Sequence, residues 1–344
     1  MKADLFEYDL PEELIAQTPA EPRDHSRLLV VNPVRKTLKD AFFYELPQYL
    51  RKGDLLVVNH SKVIPARLYG RRESGGVIEV LLLKRLESTI WECLVKPGRK
   101  VRVGERLIFS PELRATCLEI LEDGSRILQF YFEGIFEEIL DRLGEMPLPP
   151  YIRSKLQGEE RNRYQTVYHK EGESAAAPTA GLHFTQELLD NLQDMGVEMT
   201  SVLLNVGLGT FRPVKVVDIK DHVMHEEYFE VTSEAAEAIN RAREEGRRII
   251  AVGTTTIRVL ETIWKEKGRM EAGNGWTRIF ITPGYAFGLT DALITNFHLP
   301  GSTLIMLISA FMGREFTMKA YAHAVAERYR FFSFGDAMFI AREN

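Results

Sequence analysis

Apolar residues fall along this chain in two rhythms. Short continuous runs at 28–31 (LLVV) and 55–58 (LLVV) predict strands buried on both faces, and 11–16, introduced by Asp9 and Pro11, predicts a helix. From Arg67 to Pro147 the texture changes. Segments 77–83, 91–95, 115–120 and 126–132 read as strands separated by short turns, and helical spacing is confined to 135–143. Several strands within about eighty residues predict a small antiparallel β-barrel set into an α/β chain. The fold class expected is therefore α/β, with residues 1–66 and 148–344 forming a discontinuous main domain and 67–147 an inserted barrel domain. The Pro-rich MPLPPYI at 146–152 marks the return.

Helix and strand then alternate again. Thr185 precedes a helix whose apolar face is Leu188, Leu189 and Leu192, and Thr232 or Ser233 caps another that closes at Gly246. A strand at 248–252 runs into Gly253-Thr254-Thr255-Thr256, followed by a helix to about Trp264, so free backbone N–H groups are aimed at whatever lies over the strand end. A second strand ends at Asn296-Phe297-His298-Leu299-Pro300 before an apolar helix over 302–312. That run is far shorter than the ~20 residues needed to cross a bilayer. The aromatic tail 329–336 reads mainly as core, with Arg330 beside rings that, if exposed, would stack a base.

Composition narrows the picture modestly. The chain has 344 residues, 45% apolar and 27% charged, and a formal charge of −5. That balance excludes a wholly basic surface but not local phosphate-binding patches. Three such patches occur: Arg67, Arg71 and Arg72; Lys96, Arg99, Lys100, Arg102 and Arg106; and Arg153, Lys155, Arg161 and Arg163. Each also reads as an ordinary solvated face. Two cysteines without a CxxC pair, and no secretory leader, fit a reducing, cytoplasmic location.

Candidate chemistry concentrates at 175–213. AAAPTAGLHFT and NVGLGTFRP place Thr179, Gly181, His183, Asn205, Gly207, Gly209, Thr210 and Phe211 beside element ends, an arrangement suited to a small polar ligand or simply to helix caps and tight turns. His298, at a strand end, suits proton transfer or a structural hydrogen bond. Asp221, His222, His225 and Glu226 hold several metal-type ligands, yet no further cluster completes a closed site, and no metal is expected.

Taken in order, YDLPEELIAQ at 8–17, PRDHSRLL at 22–29, GDLLVVN at 53–59, VIPARL at 63–68, LVKPGRK at 94–100, MPLPPYI, RYQTVY at 163–168, APTAGLHFT, VGLGTFRPV, AVGTTTIR, DALITNFHLP and YRFFSFGDAM closely resemble the S-adenosylmethionine:tRNA ribosyltransferase-isomerases of bacterial queuosine biosynthesis. The resemblance runs from end to end and implies the same α/β-plus-barrel architecture. It also implies transfer and isomerisation of the ribosyl group of S-adenosylmethionine, as co-substrate, onto 7-aminomethyl-7-deazaguanine (preQ1) at the tRNA wobble position, with tRNAs bearing GUN anticodons as partners. Epoxyqueuosine would form, and adenine and methionine leave. The expected acid–base residues are His183 and His298, with His222 and His225 in reserve. Thr179, Gly181, Gly207, Gly209, Thr210, Phe211, Gly253, Thr254 and Thr255 are expected to cradle S-adenosylmethionine, and Arg258 to pair with its carboxylate. The tRNA is expected on Arg67, Arg99, Lys100, Arg153 and Arg163, with the wobble base unstacked; a monomer or homodimer fits equally.

The chain departs from the family pattern in places. Asn59-His60-Ser61-Lys62 stands where a segment like NDTR is usual, Asn205 replaces the histidine before VGLGTF, and Ala175–Ala177 lacks the usual valine. Asn205 argues against a required base at that position. Two rival functions remain at this stage: an RNA methyltransferase using S-adenosylmethionine, which lacks an early GxGxG strand here, and a non-catalytic RNA-binding protein that would need only the basic patches.

Overall fold

The structure, a computed structural model, describes residues 1–153, 158–170, 172, 174–207 and 216–342. The chain opens with β1 (Arg27–Asn32), β2 (Thr37–Phe42) and β3 (Leu55–Asn59). It then forms six strands in succession: β4 (Arg67–Arg72), β5 (Val77–Arg85), β6 (Ile90–Lys96), β7 (Arg106–Ile108), β8 (Leu113–Ile120) and β9 (Arg126–Phe132). These close into an antiparallel barrel in the order β4-β5-β6-β9-β8-β7. Alternate residues point inward, so Leu68, Ile78, Val80, Trp91, Cys93, Leu107, Cys117, Leu128 and Phe130 fill it. Helix α1 (Phe136–Leu143) packs Phe136, Ile139 and Leu140 against the same core. Where the chain enters and leaves the barrel, Arg67 and Glu145 exchange two backbone hydrogen bonds of 3.1 and 2.8 Å.

The remaining elements are α2 (Gln186–Asp194), β10 (Glu198–Leu204), β11 (Glu227–Val231), α3 (Ser233–Glu244), β12 (Ile249–Val252), α4 (Thr254–Lys267), β13 (Gly273–Thr277), β14 (Ala292–Asn296), α5 (Thr303–Met312), α6 (Arg314–Ala326) and β15 (Ala337–Ala341). Their strands join β1–β3 in one nine-stranded sheet, β13-β11-β10-β3-β12-β14-β15-β1-β2. At its centre β10, β3, β12 and β14 run parallel, with Leu56 flanked by Met199 and Ile250. Parallel strands covered on both faces become continuous apolar runs, which is why LLVV and IIAV carry no alternation. Leu55, Val57 and Ala251 face a core shared with α3 to α6, whereas Leu56, Val58 and Ile250 face one completed by α2 and the short 3-10 segment Phe43–Tyr49.

Caps behave as their sequences imply. Thr185 Oγ1 accepts from Leu188 N at 3.1 Å, and Thr232 Oγ1 from Ala235 N at 3.2 Å. The helix expected at 11–16 is instead one 3-10 turn, Glu12–Leu14, because so few residues cannot offset the cost of helix nucleation. Leu14 is nonetheless buried. The aromatic tail is core: Tyr329, Phe331, Phe332 and Phe334 are all buried, which removes the tail as an exposed stacking surface.

Candidate functional site

Neighbouring parallel strands β12 and β14 end at Val252 and Asn296; β12 passes through Gly253 straight into α4, and β14 reaches α5 through the short segment 297–302. Between the first turns of α4 and α5 lies a cleft lined by Thr179, Gly253, Thr254, Thr255, Thr295, Asn296, His298, Ser302, Val206 and Tyr151, and closed from the tail side by Phe332 and Ser333. Crevices at the carboxyl ends of such strands are where open α/β sheets take ligands, and helix starts supply unpaired N–H donors there. Gly253, the residue before α4, sits at φ +92°, a conformation L side chains rarely adopt, and so lets strand pass to helix without a wider loop. Thr256 Oγ1 returns a hydrogen bond to Val252 O at 2.8 Å, while buried Thr255 Oγ1 has no protein partner. Phe332, on the opposite wall, is held at φ +71°, a strained conformation for a large side chain. The buried Asp336 carboxylate fixes that loop by accepting from Arg27 N at 2.9 Å and Arg330 N at 2.7 Å.

Asn296 is the most constrained polar group in the cleft. Its Nδ2 faces three acceptors, His183 Nε2 at 2.9 Å, Phe332 O at 3.2 Å and Asp336 O at 3.5 Å. The amide orientation follows: Nδ2 is the donor, and Oδ1 is buried without a protein partner, on a residue that lines the cleft. His183 Nε2 must then accept, so its Nδ1 carries the proton and donates to Ser26 Oγ at 2.7 Å. Stacked on Phe43 at 5.0 Å and buried, His183 does not line this cleft; it stands behind Asn296 and borders a small separate pocket with Arg23 and Arg163. Burial, with Arg330 and Arg23 nearby, pulls its pKa down to about 3.

His298 does line the cleft. Its Nε2 lies 2.9 Å from Thr295 Oγ1, its backbone N–H donates to the Tyr321 hydroxyl at 3.1 Å, and its carbonyl accepts from Tyr8. Burial lowers its pKa to about 3, so the ring is neutral at physiological pH. Tyr151 reaches the cleft through a 2.6 Å hydrogen bond to Ser333 Oγ, and burial pushes its phenol up to about 12.

The other candidates are dispersed. A Cβ on Gly181 would lie 2.0 Å from the Tyr168 hydroxyl, so this glycine serves close packing away from the cleft. Gly207 donates to Glu227 Oε1 at 3.0 Å and lines a different cleft. Arg258 forms a buried ion pair with Glu227, which occupies the charge that a ligand carboxylate was expected to meet; its Nε and Nη2 have no hydrogen-bond partner. Gly209, Thr210 and Phe211 lie outside the described residues, as does Lys155. Arg99 and Lys100 are exposed on a barrel turn. Arg67 reaches Glu79 at 3.5 Å, Arg163 reaches Glu21 at 2.8 Å, and Arg153 pairs with Glu12. His222 packs edge-on against Phe280 at 5.3 Å, and among the described residues no three His, Cys, Asp or Glu side chains gather as a metal site. Sequence reasoning missed Asn296 as a ligand group; its signal was a polar residue closing the apolar strand ALITN.

Residues 3–340 match the family model described as queuosine biosynthesis protein. The S-adenosylmethionine:tRNA ribosyltransferase-isomerase of Desulfitobacterium hafniense is 57% identical over 342 residues, covering 99% of this chain and 100% of the relative. Its counterpart in Carboxydothermus hydrogenoformans is 58% identical over 340 residues, with the same coverage of 99% and 100%. A crystal structure of S-adenosylmethionine tRNA ribosyltransferase from Thermotoga maritima is 43% identical and matches 98% of this chain and 99% of that one, with a TM-score of 0.56. Over its whole length, therefore, the chain belongs to the S-adenosylmethionine:tRNA ribosyltransferase-isomerase family, the transferase-isomerases of queuosine biosynthesis.

Proposed function

We propose that the cleft between α4 and α5 holds S-adenosylmethionine and that the chain moves and isomerises its ribosyl group onto 7-aminomethyl-7-deazaguanine at the wobble position of tRNA with a GUN anticodon. Epoxyqueuosine-tRNA forms, and adenine and methionine are released. The observation that carries the placement is Asn296: its amide is locked by His183, Phe332 O and Asp336 O, which leaves this cleft-lining residue one buried acceptor without a protein partner. That acceptor takes a hydrogen bond from the adenosyl group, while Thr254, Thr255 and the first N–H groups of α4 meet the polar remainder. Thr179 contributes a further cleft hydroxyl.

His298 is the group placed to move a proton. Neutral in its dry site, it takes the proton from the carbon beside the sulfonium; adenine departs with the glycosidic electron pair and receives that proton back. The neutral amine of the modified base then attacks the rearranged sugar and gives up one N–H proton to His298, neutral again after protonating adenine, and methionine leaves with the electrons of its sulfur–carbon bond. His183 is recast as a positioning residue acting through Asn296. Arg258 acts by holding Glu227, and through it Gly207, rather than by meeting the methionine carboxylate.

Exposed Arg99 and Lys100 are the strongest candidates for tRNA phosphate contact, with Arg67, Arg153 and Arg163 exchanging carboxylate partners for phosphates on binding. Residues 67–147 are read as an inserted domain, supported by the Arg67–Glu145 backbone pair at its base. A cytoplasmic monomer or homodimer fits; no helix among the described residues is long and apolar enough to cross a membrane. The test is incubation with S-adenosylmethionine and tRNA carrying the aminomethyl base. Free adenine with epoxyqueuosine is the expected result, whereas S-adenosylhomocysteine would mean methyl transfer and no product would leave binding alone.

A further inference from the structure

A second cleft lies between the barrel and the main sheet. Leu83, Lys84 and Arg85 of β5 form one wall; Asn205, Gly207, Tyr228 and Trp276 form the other. It adjoins the first cleft, since Val206 lines one and its neighbours Asn205 and Gly207 line the other. The register of β5 against β6 shifts between Leu82 and Lys84, and such bulges re-aim side chains. Here the Lys84 ammonium lies 3.8 Å from the centroid of the Trp276 ring.

Trp276 is unusual for a residue of that size. It sits on edge strand β13 opposite Tyr228, edge-to-face at 5.4 Å, and stays 43% exposed, whereas Trp91 is fully buried in the barrel. Each carboxylate of the cleft has its own arginine: Glu227 pairs with Arg258, and Glu226 with Arg278 at 3.0 Å. Lys84 has no carboxylate partner among the described residues. The cleft therefore offers an aromatic face covered only by a cation that has no carboxylate partner among the described residues, and neutralised acids. A π-face joined to a phosphate, which is the repeating unit of single-stranded nucleic acid, matches that set.

We infer that this cleft receives one unstacked nucleobase of the RNA loop, stacked on Trp276, with an adjacent phosphate drawing Lys84 off the ring. The inference rests on the RNA-directed reading above and adds to it where the loop opens. Its position beside the first cleft, with Val206 lining one and Asn205 and Gly207 the other, brings RNA near the co-substrate.

The test uses the full chain and an unmodified anticodon stem-loop RNA, read by direct binding at several salt concentrations. Wild-type binding with quenching of tryptophan fluorescence is expected. W276A is expected to weaken RNA binding by about 5- to 150-fold, the range for loss of one base stack, with W276F retaining most of it. K84Q should lower affinity and reduce the log–log salt slope by about one. S-adenosylmethionine affinity and melting temperature should hold in W276A; if W276A unfolds, W276L, which keeps apolar bulk without a ring face, replaces it. RNA affinity unchanged in these variants overturns the base site, as does equal binding of a loopless RNA duplex. If the wild type turns over tRNA carrying the aminomethyl base while W276A keeps the same KM for it, the base site falls and the proposed function stands; absence of both binding and turnover of that modified tRNA by the wild type sinks both.

Discussion

The two clefts on either side of Val206 are built on opposite principles. In the cleft between α4 and α5, polar groups are buried, uncharged and locked: Asn296, backed by His183, and His298 have their protonation or orientation fixed by neighbours before any ligand arrives. In the barrel-side cleft, half-buried Lys84 rests on exposed Trp276 through a cation–aromatic contact and is tied by no carboxylate among the described residues. A site that must steer bond breaking within a small cation benefits from groups that cannot reorient, because reorganisation then costs little at the moment of reaction. A site that admits a flexible polyanion benefits from groups that can yield. The contrast gives a ranked set of tests.

The largest effect should come from His298→Ala, lowering kcat by about 10²- to 10⁴-fold, the usual worth of a positioned acid–base group, with affinity for S-adenosylmethionine nearly unchanged. Near-normal turnover would remove His298 from proton transfer. Next is acid stability. Both buried histidines have folded-state pKa values of about 3 against an ordinary value near 6.5, so below that value the unfolded chain binds protons the folded one refuses. Stability is complete above pH ~6.5 and falls as pH drops toward 3, by up to about 1.4 kcal/mol per pH unit for each histidine. Denaturant titrations across that window check this, and His183→Gln should flatten the slope; an unchanged slope would mean that this ring is not held neutral.

Asn296→Leu should raise KM for S-adenosylmethionine by about 5- to 150-fold, since an acceptor meeting a buried donor is worth about 1–3 kcal/mol. His183→Gln should produce a smaller shift of the same kind through loss of amide orientation. If the Leu variant binds S-adenosylmethionine normally, the cleft is not its site. Gly253→Ala acts on stability instead, expected to destabilise the protein by about 1–3 kcal/mol in denaturant titration because the residue is held at φ +92° and ψ 153°, where L side chains are strained. The smallest effect should be the double variant Arg99→Gln, Lys100→Gln, which should weaken tRNA binding several-fold and reduce the salt slope by about two while leaving S-adenosylmethionine binding intact. A salt slope equal to wild type would exclude these two from the interface.

Much of the main sheet was legible in sequence because a parallel strand buried on both faces becomes an uninterrupted apolar run, as in β3, β12 and β14. The barrel was legible from alternation in β5, β6, β8 and β9. Strands β4 and β7 were not, since LYGRR carries its cations outward around a glycine and RLI is three residues long. At the site, GTTT and His298 stood out because strand, glycine and helix cap are adjacent in sequence. Asn296 and His183 exchange places in importance only when residues 113 apart meet, and Glu227 takes Arg258 from 31 residues away. Trp276, alone in a glycine-rich segment, has no local pattern to mark it; only the bulge in a distant strand brings Lys84 to its ring.

The paired backbone of Arg67 and Glu145 at the neck of the barrel has a consequence of another kind. Two chain positions separated by more than seventy intervening residues lie within one β-bridge of each other, so for the main sheet the intervening segment is a parenthesis. On the inserted-domain reading proposed above, it can be exchanged or lengthened in a gene without moving β3 or β10, provided the Lys84–Trp276 contact is kept, and the proposed RNA-facing surface can be rewritten while the cleft at the ends of β12 and β14 keeps its grammar.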